Sequence, residues 1–338
     1  MLQDVLSSLS PSTSPMTPPA SSCSINESYK YIFLPICYSF TFMFSITLNS
    51  IILYRSFHQA KRWNASLIYM VNLASTDFMY GLSLPFLVAS YIMHDRWVFG
   101  DFMCRLVRFL FYFNLYCSIF FLTCISVHRY LGICHPIKVI TLKTKKAVKN
   151  TCVLVWIVVF ALTCPIFRHN MSSSRGKEFL DYIPYGIILH LIGFFLPFFI
   201  IAWCYSRVVL TIFKTLNGLL RGIEKDEEVS VFLGARSPTI ITITLLFALC
   251  FFPFHVTRTI FLLLKVTGKV SCETMTTVSM CYKVTRPLAS FNAWLNALLY
   301  FLTKDKVGAH CSLSMISQNF LKSSWSQYLH FYTDLKCS

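Results

Sequence analysis

Between Cys104 and Tyr130 the chain reads CRLVRFLFYFNLYCSIFFLTCISVHRY. From Phe109 to Val127 no residue is charged, and cations stand at both ends: Arg105 and Arg108 at one, His128 and Arg129 at the other. A helix needs about 20 mostly apolar residues to cross the hydrocarbon core of a bilayer. The stretch therefore reads as a membrane span bracketed by charge. Working outward with a window of about 19 residues, apolar stretches fall at 31–54, 66–93, 103–134, 149–167, 183–213, 238–264 and 278–302. The expected fold is an all-α membrane protein, a seven-transmembrane helix bundle. Its expected divisions are a disordered extracellular tail (1–30), the seven-transmembrane domain (31–303) and a cytoplasmic tail (304–338).

Composition agrees. Of 338 residues 55% are hydrophobic and 13% charged, with 32 Phe, against roughly 25% charged in an ordinary soluble domain. This excludes disorder, a coiled coil and a disulfide miniprotein. Thirty Lys and Arg against 14 Asp and Glu give a net charge of +16. In a membrane protein such an excess points to cytoplasmic loops and anionic partners, with membrane lipids around the spans, and not to nucleic acid. Most of the 14 cysteines lie in apolar runs, where Cys behaves as a small hydrophobe.

Orientation follows from the loops. Arg55, Lys61 and Arg62 follow the first span, and Lys138, Lys143, Lys145, Lys146 and Lys149 follow the third, with no acid in either loop. Both loops are therefore cytoplasmic, and the N-terminus lies outside. The Asn-x-Ser acceptors at Asn26 and Asn170 then face outward, where glycosylation is expected, whereas the one at Asn64 faces inward. Cys311, soon after the last span, is a candidate for palmitoylation.

Charge inside a span costs roughly 2.5–3.5 kcal/mol per residue at the centre, so each instance needs a reason. An inner group consists of Asp77 in span two and His128-Arg129-Tyr130 at the end of span three. An outer group consists of three pairs spaced i, i+3: Arg105 and Arg108 on span three, His255 and Arg258 on span six, Lys283 and Arg286 on span seven. That spacing puts each pair near one helix face. Three helices thus aim cations at one outward vestibule, with no acid in the outer halves of those spans. Repulsion among them is relieved by an anion, and Arg suits bidentate phosphate or carboxylate.

The landmarks occur in order on the right spans: Asn49, Leu73-Ala-Ser-Thr-Asp77, Cys104, His128-Arg129-Tyr130, Trp156, Cys250-Phe-Phe-Pro253 and Asn296-Ala-Leu-Leu-Tyr300. Over about residues 30–305 the chain resembles the rhodopsin-like G-protein-coupled receptors. Phe254-His-Val-Thr-Arg-Thr259 and Tyr282-Lys-Val-Thr-Arg-Pro-Leu-Ala-Ser290 sharpen the resemblance to the metabotropic nucleotide receptors, the purinoceptors, and within them to the uridine-nucleotide branch. Carboxylate receptors for succinate and oxoglutarate share part of the pattern. The resemblance implies that Arg108, His255, Arg258, Lys283 and Arg286 hold a phosphate chain. It puts Tyr112 and Phe254 near base and sugar, and Tyr282 at the rim. It makes Arg129, with His128, Tyr130, Asn296 and Tyr300, the switch that meets a heterotrimeric G protein. Asp77 and Asn49 would line a polar cavity for sodium, and no other cofactor is implied. It also implies a bridge between Cys23 and Cys272.

Two departures stand out. The family ties the cysteine at position 104 to the second outer loop, yet residues 168–182 contain none. A bridge of that kind contributes roughly 2–4 kcal/mol. Ala297 replaces the proline of the span-seven motif. A degenerate, poorly signalling receptor is therefore an alternative, beside a dicarboxylate receptor and a seven-helix transporter or retinal protein using Lys283. An enzyme is not expected: no Walker, zincin or nucleophile-elbow motif occurs. The expected function is a plasma-membrane receptor for an extracellular nucleotide of the UTP or ATP kind.

Overall fold

The computed structural model describes residues 28, 30–58, 63–134, 144–168, 184–220, 243–244, 246–267, 271–298 and 300–301. Cys23, Asn26, Asn170 and Cys311 lie outside the described residues. The main helices among the described residues are, in order, α1 (Lys30–His58), α2 (Ala65–Ile92), α3 (Gly100–Cys134), α4 (Lys145–Arg168), α5 (Leu196–Leu220), α6 (Phe252–Thr267) and α7 (Cys272–Ser290). A helical lead-in over 184–190 and a π-turn at Leu191–Phe195 precede α5. A second π-turn at Phe247–Phe251 precedes α6. Beyond a turn at Phe291, helix resumes over 292–298.

The bundle is inverted relative to a water-soluble domain. Ile32, Met43, Phe57, Ile157, Phe160, Phe199 and Phe213 are exposed, while Asn49, Asp77, Asn114, Ser118, His255, Arg258 and Asn296 are buried. Lipid accepts apolar side chains and offers no hydrogen bonds, so polar groups turn inward to one another. α3 is the most enclosed span and packs on α2, α4, α5 and α7, while α7 returns to α1. Asn49 Nδ2 donates to the Ala293 carbonyl at 2.8 Å, a bond between the first and last spans.

Helix ends carry local logic. Asn64 caps α2 by accepting from the Leu67 amide at 2.8 Å, and Ser271 caps α7 from Thr274. After α2 the chain turns through His94 and Asp95, both at positive φ, into Gly100. Asp95 then pairs with Lys30 at 2.5 Å and accepts from the Tyr31 hydroxyl at 3.1 Å, pinning the start of α1 to this corner.

Among the described residues, five helical stretches are long and apolar enough to cross alone: Lys30–His58, Gly100–Cys134, Lys145–Phe167, Pro184–Lys214 and Phe247–Leu264. α2 and α7 are not among them. Asp77, Asn72 and several Ser and Thr dilute α2, and Lys283, Arg286 and a polar first turn dilute α7. Neighbouring spans meet several of these groups: Asn114 and Asn296 donate to Asp77, Trp156 donates to Asn72, and Thr257 bonds Thr285.

Candidate ligand vestibule and inner polar network

Two of the outer cations rest on adjoining aromatic rings. Arg258 Nη1 donates to the Tyr282 hydroxyl at 2.9 Å, and its guanidinium lies 5.9 Å from the centre of that ring. Phe111 and Tyr112, whose ring centres are 5.0 Å apart, carry the guanidiniums of α7 and α6. Arg258 is buried and lies over the Tyr112 ring at 4.6 Å, while Arg286 lies over Phe111 at 5.1 Å. The ring faces carry negative quadrupole density, which holds a guanidinium where no carboxylate does. Neither Arg108 nor Arg286 forms a salt bridge among the described residues, and Arg286 Nε is buried with no hydrogen-bond acceptor there. Asp101 and Glu273 sit exposed in the first turns of α3 and α7, outward of the cations.

The remaining expected ligand residues fall into different positions. Lys283 is half-buried on α7. Tyr112 and Phe254 are buried: Tyr112 carries Arg258 on its face, and Phe254 packs on Phe111, Tyr282 and His255. Tyr112 thereby supports the Arg258 guanidinium, and Phe254 belongs to the aromatic cluster beside it. Tyr282 accepts from Arg258 and packs on Phe254 and Phe261. His255 is fully buried, and its ring contacts are with His190, Phe194, Tyr116 and Phe254. His190 was not anticipated. A histidine inside the apolar run IILHLIGF at 187–194 is the signal that marks it. Thr257 and Thr285 share a hydrogen bond of 2.8 Å that holds α6 against α7 at this level.

At the outer end of α3, Cys104 is a thiol that accepts weakly from Arg108 Nη2 at 3.9 Å. Cys272 is disulfide-bonded. Peptide mapping of the non-reduced protein by mass spectrometry is expected to join Cys272 to Cys23 and to leave Cys104 alkylatable. A peptide linking Cys104 to any other cysteine would show the bridge to be re-routed.

Deeper in, Asp77 is fully buried and accepts from Asn114 Nδ2 at 2.6 Å and from Asn296 Nδ2 at 3.2 and 3.4 Å. Asn296 Nδ2 also reaches Ser118 at 3.2 Å. Asn49 Oδ1 and Asn296 Oδ1 are buried with no hydrogen-bond donor among the described residues. Asn49, Asp77, Asn296 and Tyr300 line a shared recess with Met70, Leu73 and Ala74. A carboxylate and two amide oxygens lacking donors border this recess, and oxygen donors are the ligand type of hard cations. Asn114 is a member that the sequence reading passed over.

At the inner end, Tyr130 packs edge-on against Trp203 of α5 at 5.0 Å, and Ser126 bonds Tyr205 at 2.7 Å. His128 lies 6.2 Å from Tyr69. The His-Arg-Tyr segment is thereby tied to α2 and α5.

Comparison with known proteins gives a matching family model over residues 48–300, described as 7 transmembrane receptor (rhodopsin family). Three similar relatives are purinoceptors of the Y class. Purinoceptor 2 of Mus musculus is 38% identical over 296 residues, covering 84% of this chain and 78% of that protein. Purinoceptor 3 of Gallus gallus is 38% identical over 301 residues, covering 84% and 89%. Purinoceptor 4 of Rattus norvegicus is 38% identical over 295 residues, covering 84% and 79%.

Proposed function

Since the chain belongs to the rhodopsin family of seven-transmembrane receptors, we propose that it binds an extracellular nucleoside triphosphate and signals to a heterotrimeric G protein. It is a multi-pass protein of the plasma membrane, and its family and relatives are receptors rather than enzymes. The relatives' names specify purinoceptors. The observation that carries the ligand class is the pair of guanidiniums from α6 and α7, Arg258 and Arg286, held on the adjoining Tyr112 and Phe111 rings of α3, with Arg286 Nε buried and without an acceptor among the described residues.

Arg258 donates to the Tyr282 oxygen, which leaves the phenol proton free to donate outward to a phosphate oxygen. Arg286 Nε is a buried donor still seeking an acceptor. A triphosphate supplies acceptors to several cations at once, whereas a dicarboxylate engages two arginines fork-to-fork and leaves the others unmet. Lys283 adds a point charge suited to the terminal phosphate. Inside, Asp77, Asn49 and Asn296 would hold a sodium ion, which supplies the positive charge that the buried carboxylate lacks. The Asp77 network joins α2, α3 and the seventh span, and Arg129 and Tyr130 lie on the same α3 as Asn114. That shared helix is the route by which a change at the vestibule would reach the G protein.

The test is calcium mobilisation in transfected cells given ATP, ADP, UTP, UDP, succinate and 2-oxoglutarate. Nucleotides are expected to activate. Lys283→Ala is expected to weaken triphosphates more than diphosphates. Full activation by a dicarboxylate with no response to any nucleotide would overturn the reading.

A further inference from the structure

His190 and His255 meet across the seam between the fifth and sixth spans, with Nδ1 to Nδ1 at 2.8 Å. Both are buried. In such a contact one nitrogen donates and the other accepts, so a single proton lies between the two rings. The His255 ring is gripped from two sides. Phe194 stacks on its face at 4.1 Å and 12°, and His190 meets its edge at 5.0 Å and 79°. The π-turn at Leu191–Phe195 follows directly on His190 and contains Phe194, so both gripping residues belong to it or abut it. Gly193 permits that turn, because a Cβ there would stand 2.6 Å from Tyr116 Cε1.

The surroundings give a second positive charge no support. α3 supplies Tyr116, the π-turn before α5 supplies Phe194, and α6 supplies Phe254. No carboxylate occurs among these described contacts. The charged neighbour along α6 is Arg258, one turn outward of His255 and itself cationic. Nε2 of both histidines is buried with no hydrogen-bond partner among the described residues.

We infer that His190 is a positioning residue for the vestibule: by sharing one proton with His255 it holds that ring neutral and fixed, so His255 serves as a wall beneath the arginines and not as a further cation. Its effect on ligand potency rests on the nucleotide-receptor reading, whereas the shared proton does not. The pair also ties the outer half of the fifth span to the sixth, directly below the Arg258–Tyr282 contact.

Two measurements test this. The first is ligand-free: thermal melting of the detergent-purified receptor for His190→Phe, His255→Phe and the double variant. Each single change strands a buried ring nitrogen and is expected to lower Tm by at least about 2 °C. The double variant removes both nitrogens and should melt no lower than either single variant. Additive losses would overturn the shared proton. The second measurement compares ATP and UTP potency at about pH 7.5 and pH 6. His190→Ala admits water and frees His255 to charge beside a polyanion. On acidification it should gain at least about threefold more potency than the wild type. His190→Asn, which keeps a hydrogen-bonding group, should restore the wild-type profile. The same pH response in all three overturns the positioning role. If no nucleotide activates the wild type while the melting cycle still shows recovery, the shared proton is upheld and the nucleotide reading is the one overturned.

Discussion

Cells expressing Arg258→Ala or Arg286→Ala are expected to need at least about tenfold more nucleotide for half-maximal calcium release than cells expressing the unaltered chain. A charge-assisted hydrogen bond contributes about 1.5–3 kcal/mol, and 1.4 kcal/mol is a factor of ten. The two variants should differ in kind. Arg286→Ala removes a cation whose Nε has no acceptor among the described residues, so little internal bonding is lost and surface expression should hold. Arg258→Ala also strands the Tyr282 hydroxyl and uncovers the Tyr112 ring. Lysine at position 258 should rescue poorly, since it cannot lie flat on the ring and donate sideways. Tyr282→Phe should give a smaller loss than either. Unchanged potency for both alanine variants at normal surface density would remove the anion site.

The second large effect belongs to Asp77. Asp77→Ala leaves the amide donors of Asn114 and Asn296 without their carboxylate, at about 1–3 kcal/mol for each stranded group. Loss of agonist response and reduced surface expression should follow. Asp77→Asn keeps an acceptor but discards the charge, and should fold. In thermal melting the wild type is expected to be more stable in sodium chloride than in choline chloride by at least about 2 °C. Asp77→Asn should erase the difference. An equal sodium effect in both would show that the ion binds elsewhere or not at all.

Much of the architecture was legible because lipid imposes a length rule. The third span, expected over 103–134, forms as Gly100–Cys134, and the fourth, expected over 149–167, as Lys145–Arg168. The errors lie at polar helix ends. α7 begins at Cys272 and not at 278, because Ser271 caps it and Glu273 favours its N-terminus, signals that an apolar window does not weigh. Helix type was also hidden. Neither π-turn has a marker in the apolar pattern, and the one at Leu191–Phe195 is what accompanies the placement of His190 and Phe194 against His255.

The candidate site was legible as charge and illegible as geometry. Spacing of i, i+3 puts Arg258 and Arg286 each near one face of its own helix, but does not show that Arg258 donates to Tyr282. The same spacing pairs His255 with Arg258, whereas packing turns the imidazole toward the fifth span. Whether a polar side chain points at a ligand or at a neighbouring helix depends on rotation of the whole helix. Apolar periodicity fixes that rotation only loosely when every face of a helix is apolar.

The polarity of α7 bears on how the chain is made. The outer part of the seventh span, Cys272–Ser290, includes Lys283, Arg286 and three threonines in its first two turns and would partition poorly from a translocon into lipid by itself, since a cation costs up to about 2.5–3.5 kcal/mol at a span's centre. The surfaces that receive this span are the Phe111 ring for Arg286, Thr257 for Thr285, the Tyr80 hydroxyl for Ser290 and the Asn49 amide for the Ala293 carbonyl. All of them lie on spans synthesised earlier. The seventh span therefore enters a cleft that its predecessors have already built. Biogenesis acquires a late checkpoint, at which a fault in α1, α2 or α6 is registered as failure of the last helix to stay in the membrane.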